Sequence, residues 1–212
     1  MKNRVGRPLL PAGAVVLLLL TMGLLLAGCG FDFSLSCGDT ESETKTYADA
    51  DYGYSFQYPG DWEVQPGDSA EVTGGSGSEG GMSVYDPDGA VAGSYYVDLF
   101  QVSVYELNVI VVESMMSEIK AQVEGLLADL EAQGSDWRQV EGLSEATVGG
   151  MSGYRATYDF TLDGTPATST FYFVFTSDIQ YQLTLQAVTE NWKEKQPEFD
   201  AIVASFKPGT DR

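Results

Sequence analysis

The sequence contains no histidine and few basic residues. Its 212 residues include 31 Asp+Glu against 11 Lys+Arg, for a formal net charge of −20, and only two cysteines. Without histidine, the chain alone cannot form a Ser-His-Asp or Cys-His nucleophile, a histidine general base or a histidine-containing zinc site. The shortage of basic residues argues against nucleic-acid binding, which depends on clustered lysine and arginine. These absences favour a binding module over an enzyme, and we expect neither a cofactor nor a metal ion.

The remaining composition is typical of a folded domain. Hydrophobic residues make up 43% of the chain and aromatic residues 12%. That is enough apolar surface for a core, and it is unlike a disordered acidic segment. The length fits one domain together with a targeting segment.

An apolar run near the N-terminus predicts export from the cytoplasm. Lys2, Arg4 and Arg7 precede residues 9–26, which are almost wholly apolar, and the first acidic residue is Asp32. A basic start, an apolar middle and small residues at the boundary are typical of a secretory signal peptide.

The end of this run, Leu26-Ala27-Gly28-Cys29, resembles the lipobox of bacterial lipoproteins. The resemblance implies a signal peptide at 1–28, peptidase recognition of the three residues before the cysteine, diacylglyceryl transfer to the Cys29 thiol and cleavage between Gly28 and Cys29. The alternative is an uncleaved transmembrane anchor, because the run is near the length that spans a bilayer. In either case we expect the remainder at the outer face of the cytoplasmic membrane, or at the outer membrane if the cell has one.

Cleavage would make the chain still more acidic. It leaves 8 Lys+Arg and 31 Asp+Glu, a side-chain charge of −23. Anionic head groups repel such a surface, so we expect the domain to stand off the bilayer. Residues 29–50 are mostly small and polar and predict a flexible tether. Cys37 within it is either an incidental thiol or a free thiol available for an intermolecular bridge.

Periodicity predicts one domain at 51–207 and a tail at 208–212. Residues 52–58 alternate as a strand, Pro59-Gly60-Asp61 predicts a turn, and Trp62 starts the return strand. Residues 95–105 are largely apolar on both sides and predict a central strand. After a segment at 137–148, alternation at 154–162, 170–176 and 180–187 predicts a three-strand meander, with Asp163-Gly164 as a hairpin turn.

Two helices are predicted. The first presents one apolar stripe and stops at Gly134; its stripe consists of Met115, Met116, Ile119, Val123, Leu126, Leu127 and Leu130. The second begins near Pro197, with Phe199, Ile202, Val203 and Phe206 at helical spacing. Hairpins instead of βαβ crossovers predict an α+β domain, an antiparallel β-sheet flanked by helices.

Several of these segments together resemble the PsbP-like family, bacterial relatives of the extrinsic photosystem II subunit P. They are the aromatic strand and turn at 52–62, Gly153-Tyr154, the aromatic hairpin to Tyr181 and the closing segment 199–206. The resemblance implies an α-β-α sandwich and a non-enzymatic assembly or binding role. The ion-retention function of the photosystem subunit does not carry over, because no site pattern matches it.

Ser117 and Lys120 have the S-x-x-K spacing of penicillin-recognising serine enzymes. Ser117 lies opposite the centre of the apolar stripe, so we expect it to face water, and the companion S-D-N and K-T-G elements are missing from the sequence. An exposed helix surface is the interpretation we favour. A Ser/Lys hydrolase is the alternative.

Acidic residues suggest two further chemistries. Asp86, Asp88 and Gly89, and the pair Asp49 and Asp51, hint at calcium loops, but calcium needs six to eight oxygen ligands and turn formation explains both motifs. Paired carboxylates could support glycoside hydrolysis without histidine. Among 31 acidic residues some close pair is inevitable, so spacing alone does not identify one.

Two polar strand faces could together form a hydrogen-bonding surface. They consist of Arg155, Thr157, Asp159 and Thr161, and of Gln180, Gln182, Thr184 and Gln186. An ordinary solvated face is the simpler interpretation. Trp62, Trp137 and Trp192 are expected in the core or at its rim.

We therefore predict a lipid-anchored extracytoplasmic lipoprotein that acts as a non-enzymatic binding or accessory module, with Cys29 as its one modified residue. Its expected partners are the membrane, through the lipid, and an envelope protein. The alternatives are a membrane-anchored hydrolase that uses carboxylates or the Ser/Lys pair, and a small ligand-delivery protein. A single domain offers no hinged cleft for the last of these.

Overall fold

A computed structural model describes residues 43–66, 80–133 and 136–209. The described residues form eleven strands and two helices, with a 3₁₀ turn at Glu113–Met115 before the first helix. The strands are β1 Thr44–Ala48, β2 Ser55–Pro59, β3 Glu63–Pro66, β4 Gly80–Tyr85, β5 Val91–Ala92, β6 Tyr95–Tyr96, β7 Leu99–Glu106, β8 Arg138–Val148, β9 Met151–Leu162, β10 Thr165–Phe175 and β11 Ile179–Val188. The helices are α1 Met116–Gln133 and α2 Trp192–Ser205.

Seven of the strands form one antiparallel sheet in the order β3-β4-β7-β11-β10-β9-β8. The predicted meander is confirmed, since β9 pairs with β10 and β10 with β11 along most of their length. Asp163 and Gly164 both have positive φ, as a two-residue hairpin turn requires. The predicted central strand is also confirmed, because β7 lies between β4 and β11.

The two helices cover opposite faces of this sheet, which confirms the α+β sandwich. On the α1 face, Ile119, Val123 and Leu127 pack on aromatic residues of β9 and β10. On the α2 face, Phe199, Ile202 and the adjoining Phe206 pack with apolar residues of β4, β7 and β11. Strand alternation supplies both surfaces, since successive side chains point to opposite faces.

The chain before residue 51 is part of the domain. β1 lies inside the range 29–50 that was predicted as a tether, and it pairs with β2 along its whole length. The tether prediction is therefore wrong for β1, which buries only Tyr47 in part and so lacks an apolar alternation to reveal it. The domain also extends past residue 207, because the Gly209 amide donates to the Tyr181 hydroxyl at 3.3 Å.

The predicted hairpin after residue 58 is not formed. The turn exists, with the Trp62 amide bonded to the Pro59 carbonyl, but β2 and β3 belong to different sheets. β2 packs on the α2 face through Phe56 and Tyr58, together with Tyr54 just before the strand. β3 instead pairs with β4 at the edge of the large sheet.

Two element boundaries also differ from prediction. The segment 95–105 is divided into β6 and β7 by Asp98, which is buried. α2 begins at Trp192 and contains Pro197 inside the helix, although we placed its start near that proline. A proline inside a helix loses the bond to the carbonyl four residues earlier and its ring crowds that carbonyl. Burial of Phe199 and Ile202 favours the helix in spite of this cost. The predicted stop of α1, Gly134, lies outside the described residues.

Candidate functional site

A polar cleft lies beside α2, on the α2 face of β8, β9 and β10. It contains about 380 Å³ of empty space including its open mouth. Its lining includes Arg155, Glu141, Tyr172, Gln196 and Asp200. The cleft therefore gathers hydrogen-bond donors and acceptors at one place on the surface.

The polar groups of this cleft already satisfy one another. Arg155 lies 3.9 Å from the Glu141 carboxylate. A hydrogen bond with Tyr172 raises the pKa of the Arg155 guanidinium, the charges of Glu141 and Asp200 add to this, and burial opposes it. On the cleft floor, the hydroxyls of Thr157 and Thr170 bond to each other at 2.8 Å. This arrangement resembles a structural ion-pair cluster more than a prepared ligand site.

A second polar cluster surrounds the buried carboxylate of Asp98, which is 2% exposed. Asp98 accepts hydrogen bonds from the amides of Val188 at 3.0 Å and Ala90 at 3.3 Å. Lys195 donates to Asp86 at 2.7 Å nearby and lies over the Trp62 ring. Burial lowers the pKa of Lys195, but the contact with Asp86 and the charges of Glu198 and Asp98 outweigh it, and the net shift is upward. The sequence offered no signal for this cluster.

An apolar loop after β7 forms the third feature. We call it the apolar tip and define it as residues 107–112 with Met115. Leu107, Val109 and Val111 line a groove of about 340 Å³, open to solvent, with Ile119 and Phe175. Ile110 and Val112 do not line the groove and are 64% and 48% exposed. Residues 109–112 are four consecutive β-branched aliphatic residues between two elements. They are a sequence signal for this surface that was missed, since such connections are normally polar.

The structure separates the two polar strand faces for which a joint hydrogen-bonding surface was the alternative interpretation. Register places Arg155 opposite Tyr172 and Thr157 opposite Thr170, on the α2 face. Gln180 and Gln182 lie opposite Phe175 and Phe173, on the α1 face. A joint hydrogen-bonding surface is therefore wrong, because the faces of neighbouring strands depend on register.

Ser117 and Lys120 are both on the first turns of α1. Ser117 is exposed, as predicted. Lys120 donates to Glu124 at 2.6 Å, and both side chains are well exposed. This contact with Glu124 holds the Lys120 amine one turn further along the helix than Ser117.

The acidic motifs form turns. Asp86 accepts from the amide of Asp88 at 3.0 Å, and Asp49 accepts from the amides of Asp51 and Tyr52. In residues 43–66, 80–133 and 136–209, no group of three or more acidic, cysteine or histidine side chains could hold a metal ion. These carboxylates stabilise backbone turns.

The three tryptophans lie in the core or at its rim. Trp62 is 1% exposed, Trp137 stacks on Phe160 with centroids 4.5 Å apart, and Trp192 packs on Phe199 beside the polar cleft.

The predicted lipidation motif, Leu26, Ala27, Gly28 and Cys29, lies outside the described residues, as does Cys37. Across the part of the chain that the structure describes, neither helix has the length and apolar character to cross a membrane.

The free energy of unfolding should fall as the pH rises above 10. Burial raises the pKa of Tyr54, with smaller contributions from Tyr47 and Asp49. Burial also raises the pKa of Tyr105 to about 12, against an opposing hydrogen bond with Ser103. Both tyrosine pKa values are higher in the folded state than in the unfolded state. The free energy of unfolding is therefore unaffected well below pH 10 and falls as the pH rises from 10 toward the folded-state pKa values. At pH 11 the loss is about 1.4 kcal/mol per tyrosine.

Urea unfolding followed by tryptophan fluorescence at pH 8, 10 and 11 measures this loss. Tyr54→Phe removes one ionisable hydroxyl, so the variant should lose about 1.4 kcal/mol less than the wild type between pH 8 and 11. Equal losses in the two proteins would contradict the assignment to Tyr54.

Comparison with known proteins identifies the fold. The model of the PsbP-like protein family matches residues 34–208. The solution structure of cyanobacterial PsbP (CyanoP) from Synechocystis sp. PCC 6803 has a TM-score of 0.53 at 16% identity, covering 82% of this chain and 97% of that chain. LpqN of Mycobacterium tuberculosis, described as involved in cell envelope biogenesis, has a TM-score of 0.53 at 14% identity, covering 79% and 91%. No curated protein matches the chain.

Proposed function

The chain belongs to the PsbP-like protein family, and from that premise we propose that it is a lipid-anchored, extracytoplasmic accessory protein that binds a partner in the cell envelope. The resemblance to this family noted from the sequence is confirmed. A shared fold does not by itself specify a function, so the proposal depends on features of this chain.

The observation that carries the proposal is the cysteine that ends the N-terminal apolar run. Leu26-Ala27-Gly28-Cys29 closes that run, and the folded domain starts by Thr44. A diacylglyceryl group on Cys29 would hold the chain at a bilayer. The short spacing between Cys29 and β1 would then keep the domain near the membrane surface. LpqN, which has the same fold and is described as involved in envelope biogenesis, supports an envelope location.

The arrangement of polar groups supports binding over catalysis. With no histidine in the chain, a general base would have to be a carboxylate, a lysine or a tyrosine. Lys120 is engaged by Glu124 instead of Ser117. The Thr157 and Thr170 hydroxyls of the cleft bond to each other. The apolar tip, in contrast, presents surface that no other described element covers.

Replacing Cys29 with alanine should abolish lipid attachment. We expect incorporation of labelled palmitate to fall to background, because the acylated thiol is missing. The chain should also run at the size of the uncleaved precursor, because processing follows lipidation. Metabolic labelling of bacteria that express the full chain, followed by immunoprecipitation, measures both.

Cys37→Ala is the matched control, because it removes the only other thiol. This variant should label and mature like the wild type. Unchanged labelling of the Cys29 variant would disprove lipidation at this residue. A wild-type chain that is never cleaved would favour the transmembrane anchor.

A further inference from the structure

The apolar tip is an ordered loop. The Leu107 amide donates to the Asp178 carbonyl at 2.7 Å, and the Val111 amide donates to the Ser177 carbonyl at 2.6 Å. These bonds fasten the loop to the turn between β10 and β11. Consecutive β-branched residues add stiffness, because their χ1 angles are restricted. A surface held in this way loses little conformational entropy on binding.

The exposed side chains of the tip differ from those of an ordinary loop. Leu107, Val109 and Val111 face the groove, so the intervening positions would normally be polar. Asn108 follows this rule, but the next two such positions are Ile110 and Val112. Among the residues that the structure describes, Ile110 is the most exposed large apolar side chain at 64%. The other exposed valines, Val64, Val91 and Val140, lie on three separate strands.

Acidic residues surround the tip. Glu106, Glu113 and Glu118 are exposed on the adjoining chain, and Asp178 lies in the turn that fastens the loop. The segments 106–118 and 176–179 contain no lysine or arginine. Protein interfaces usually have an apolar centre and a polar rim. Here the charged residues named for the rim are all acidic.

We infer that the apolar tip is a docking site for a second envelope protein, which presents an apolar side chain flanked by lysine or arginine. The apolar side chain would enter the groove beside Ile110, and the basic residues would pair with Glu113 and Glu118. This inference rests on the proposed function only for its location outside the cytoplasm. Charge complementarity of this kind steers encounter and selects among partners.

The position of the tip argues against the bilayer as its occupant. An added Cβ on Gly60 would overlap the carbonyl of Glu43, so the chain enters the domain beside that turn. Glu63, just after the turn, pairs with Tyr85 on β4, and Tyr85 pairs with Leu99, the first residue of β7. The chain therefore enters the domain on the side where β7 begins. The tip follows Glu106, at the other end of β7, about 25 Å away at 3.3 Å per residue. Anionic head groups would also repel the acidic rim.

A second copy of the chain fits less well for the same electrostatic reason. Two tips in contact would place Glu106, Glu113 and Glu118 of one molecule beside the same residues of the other. Like charges facing each other across an interface oppose association.

Binding of defined peptides tests the inference. The full chain is held in phosphatidylcholine nanodiscs, whichever N-terminal anchor it carries, and titrated against three fluorescent helical peptides by anisotropy. One peptide combines leucine with lysine, one has glutamate in place of lysine, and one has serine in place of leucine. We expect binding of the leucine–lysine peptide to exceed that of each of the others by about tenfold or more, because both apolar and charged contacts are required.

Matched variants locate the binding site. Ile110→Ser with Val112→Ser should weaken the leucine–lysine peptide by about tenfold. Val91→Ser with Val140→Ser removes similarly exposed valines elsewhere and should change the affinity by less than about twofold. Glu113→Gln with Glu118→Gln should weaken binding by about threefold to fivefold and reduce its salt dependence.

Three outcomes would overturn the inference. The first is equal binding of the peptide by the tip and control variants. The second is a wild-type chain that sediments as a dimer that Ile110→Ser dissolves, which would assign the tip to a second copy. The third is tip-dependent binding to protein-free phosphatidylglycerol vesicles, which would assign it to the bilayer. Loss of Cys29 lipidation affects none of these measurements, so the two proposals fail separately.

Discussion

Replacing Gly153 with alanine should destabilise the domain by about 3 kcal/mol or more. Gly153 lies in β9 between its partners Val174 on β10 and Ala146 on β8. An added Cβ would overlap the carbonyl oxygen of Phe173 and lie 2.7 Å from the Cα atom of Val174. Backbone atoms inside a paired sheet cannot rotate away as a side chain can. Relief would require the two strands to separate and lose ladder hydrogen bonds.

Gly125→Ala is the control for this prediction. Gly125 lies within α1, and an added Cβ there meets nothing within 4 Å. The variant should be stabilised by up to about 1 kcal/mol, because alanine is the better helix former. Urea unfolding of both variants and the wild type gives the comparison. A Gly153 variant within 1 kcal/mol of the wild type would show that β9 and β10 can shift without losing their pairing.

Replacing Asp98 with alanine should destabilise the domain by about 2–5 kcal/mol. The change leaves the buried amide of Val188 and the half-buried amide of Ala90 without their side-chain acceptor. An unsatisfied buried donor costs about 1–3 kcal/mol. The substitution also removes a carboxylate whose charge helps to raise the pKa of Lys195.

Asp98→Asn separates these two contributions. The asparagine keeps one acceptor oxygen but has no charge, so we expect it to lose less stability than alanine. Thermal unfolding followed by circular dichroism ranks the three proteins. If asparagine and alanine were equally destabilising, the charge near Lys195 would matter more than the hydrogen bonds. An alanine variant as stable as the wild type would contradict the structural role of Asp98.

The predictions were correct where the apolar periodicity within a single strand or helix identifies that element. The alternation through β9, β10 and β11 is uniform, because one face packs under α1 while the other meets α2. The stripe of α1 was equally clear, with Ile119, Val123 and Leu127 buried. Such periodicities reflect local geometry and need no knowledge of the partner.

The predictions failed where pairing with another segment of the chain determines the structure. β1 contributes Tyr47 alone to the core, so its pairing with β2 could not be read from its own residues. Pro59 and Gly60 mark a reversal of the chain, but a turn does not specify which sheet the next strand joins. The polar residues of β9 and β11 were grouped wrongly because their register was unknown.

The candidate binding surface was also missed at the sequence level. Residues 109–112 are an apolar run, and such runs are ordinarily buried. Only the structure shows that Leu107 and Val111 bond to the turn at 176–178 and that Ile110 is exposed. The role of the buried Asp98 was not predicted either, because residues 95–105 were interpreted as one continuous central strand.

The absence of histidine chemistry, the net charge of −20 and the α+β character of the domain all follow from the amino-acid sequence. The predicted acylation of Cys29 also depends on the sequence alone. These properties follow from composition or from contacts between near neighbours along the chain. Tertiary structure alone decided which face each polar strand presents, how Asp98 is satisfied and where the apolar tip lies relative to the entry of the chain. Those features arise from pairing between distant segments, which local periodicity does not encode.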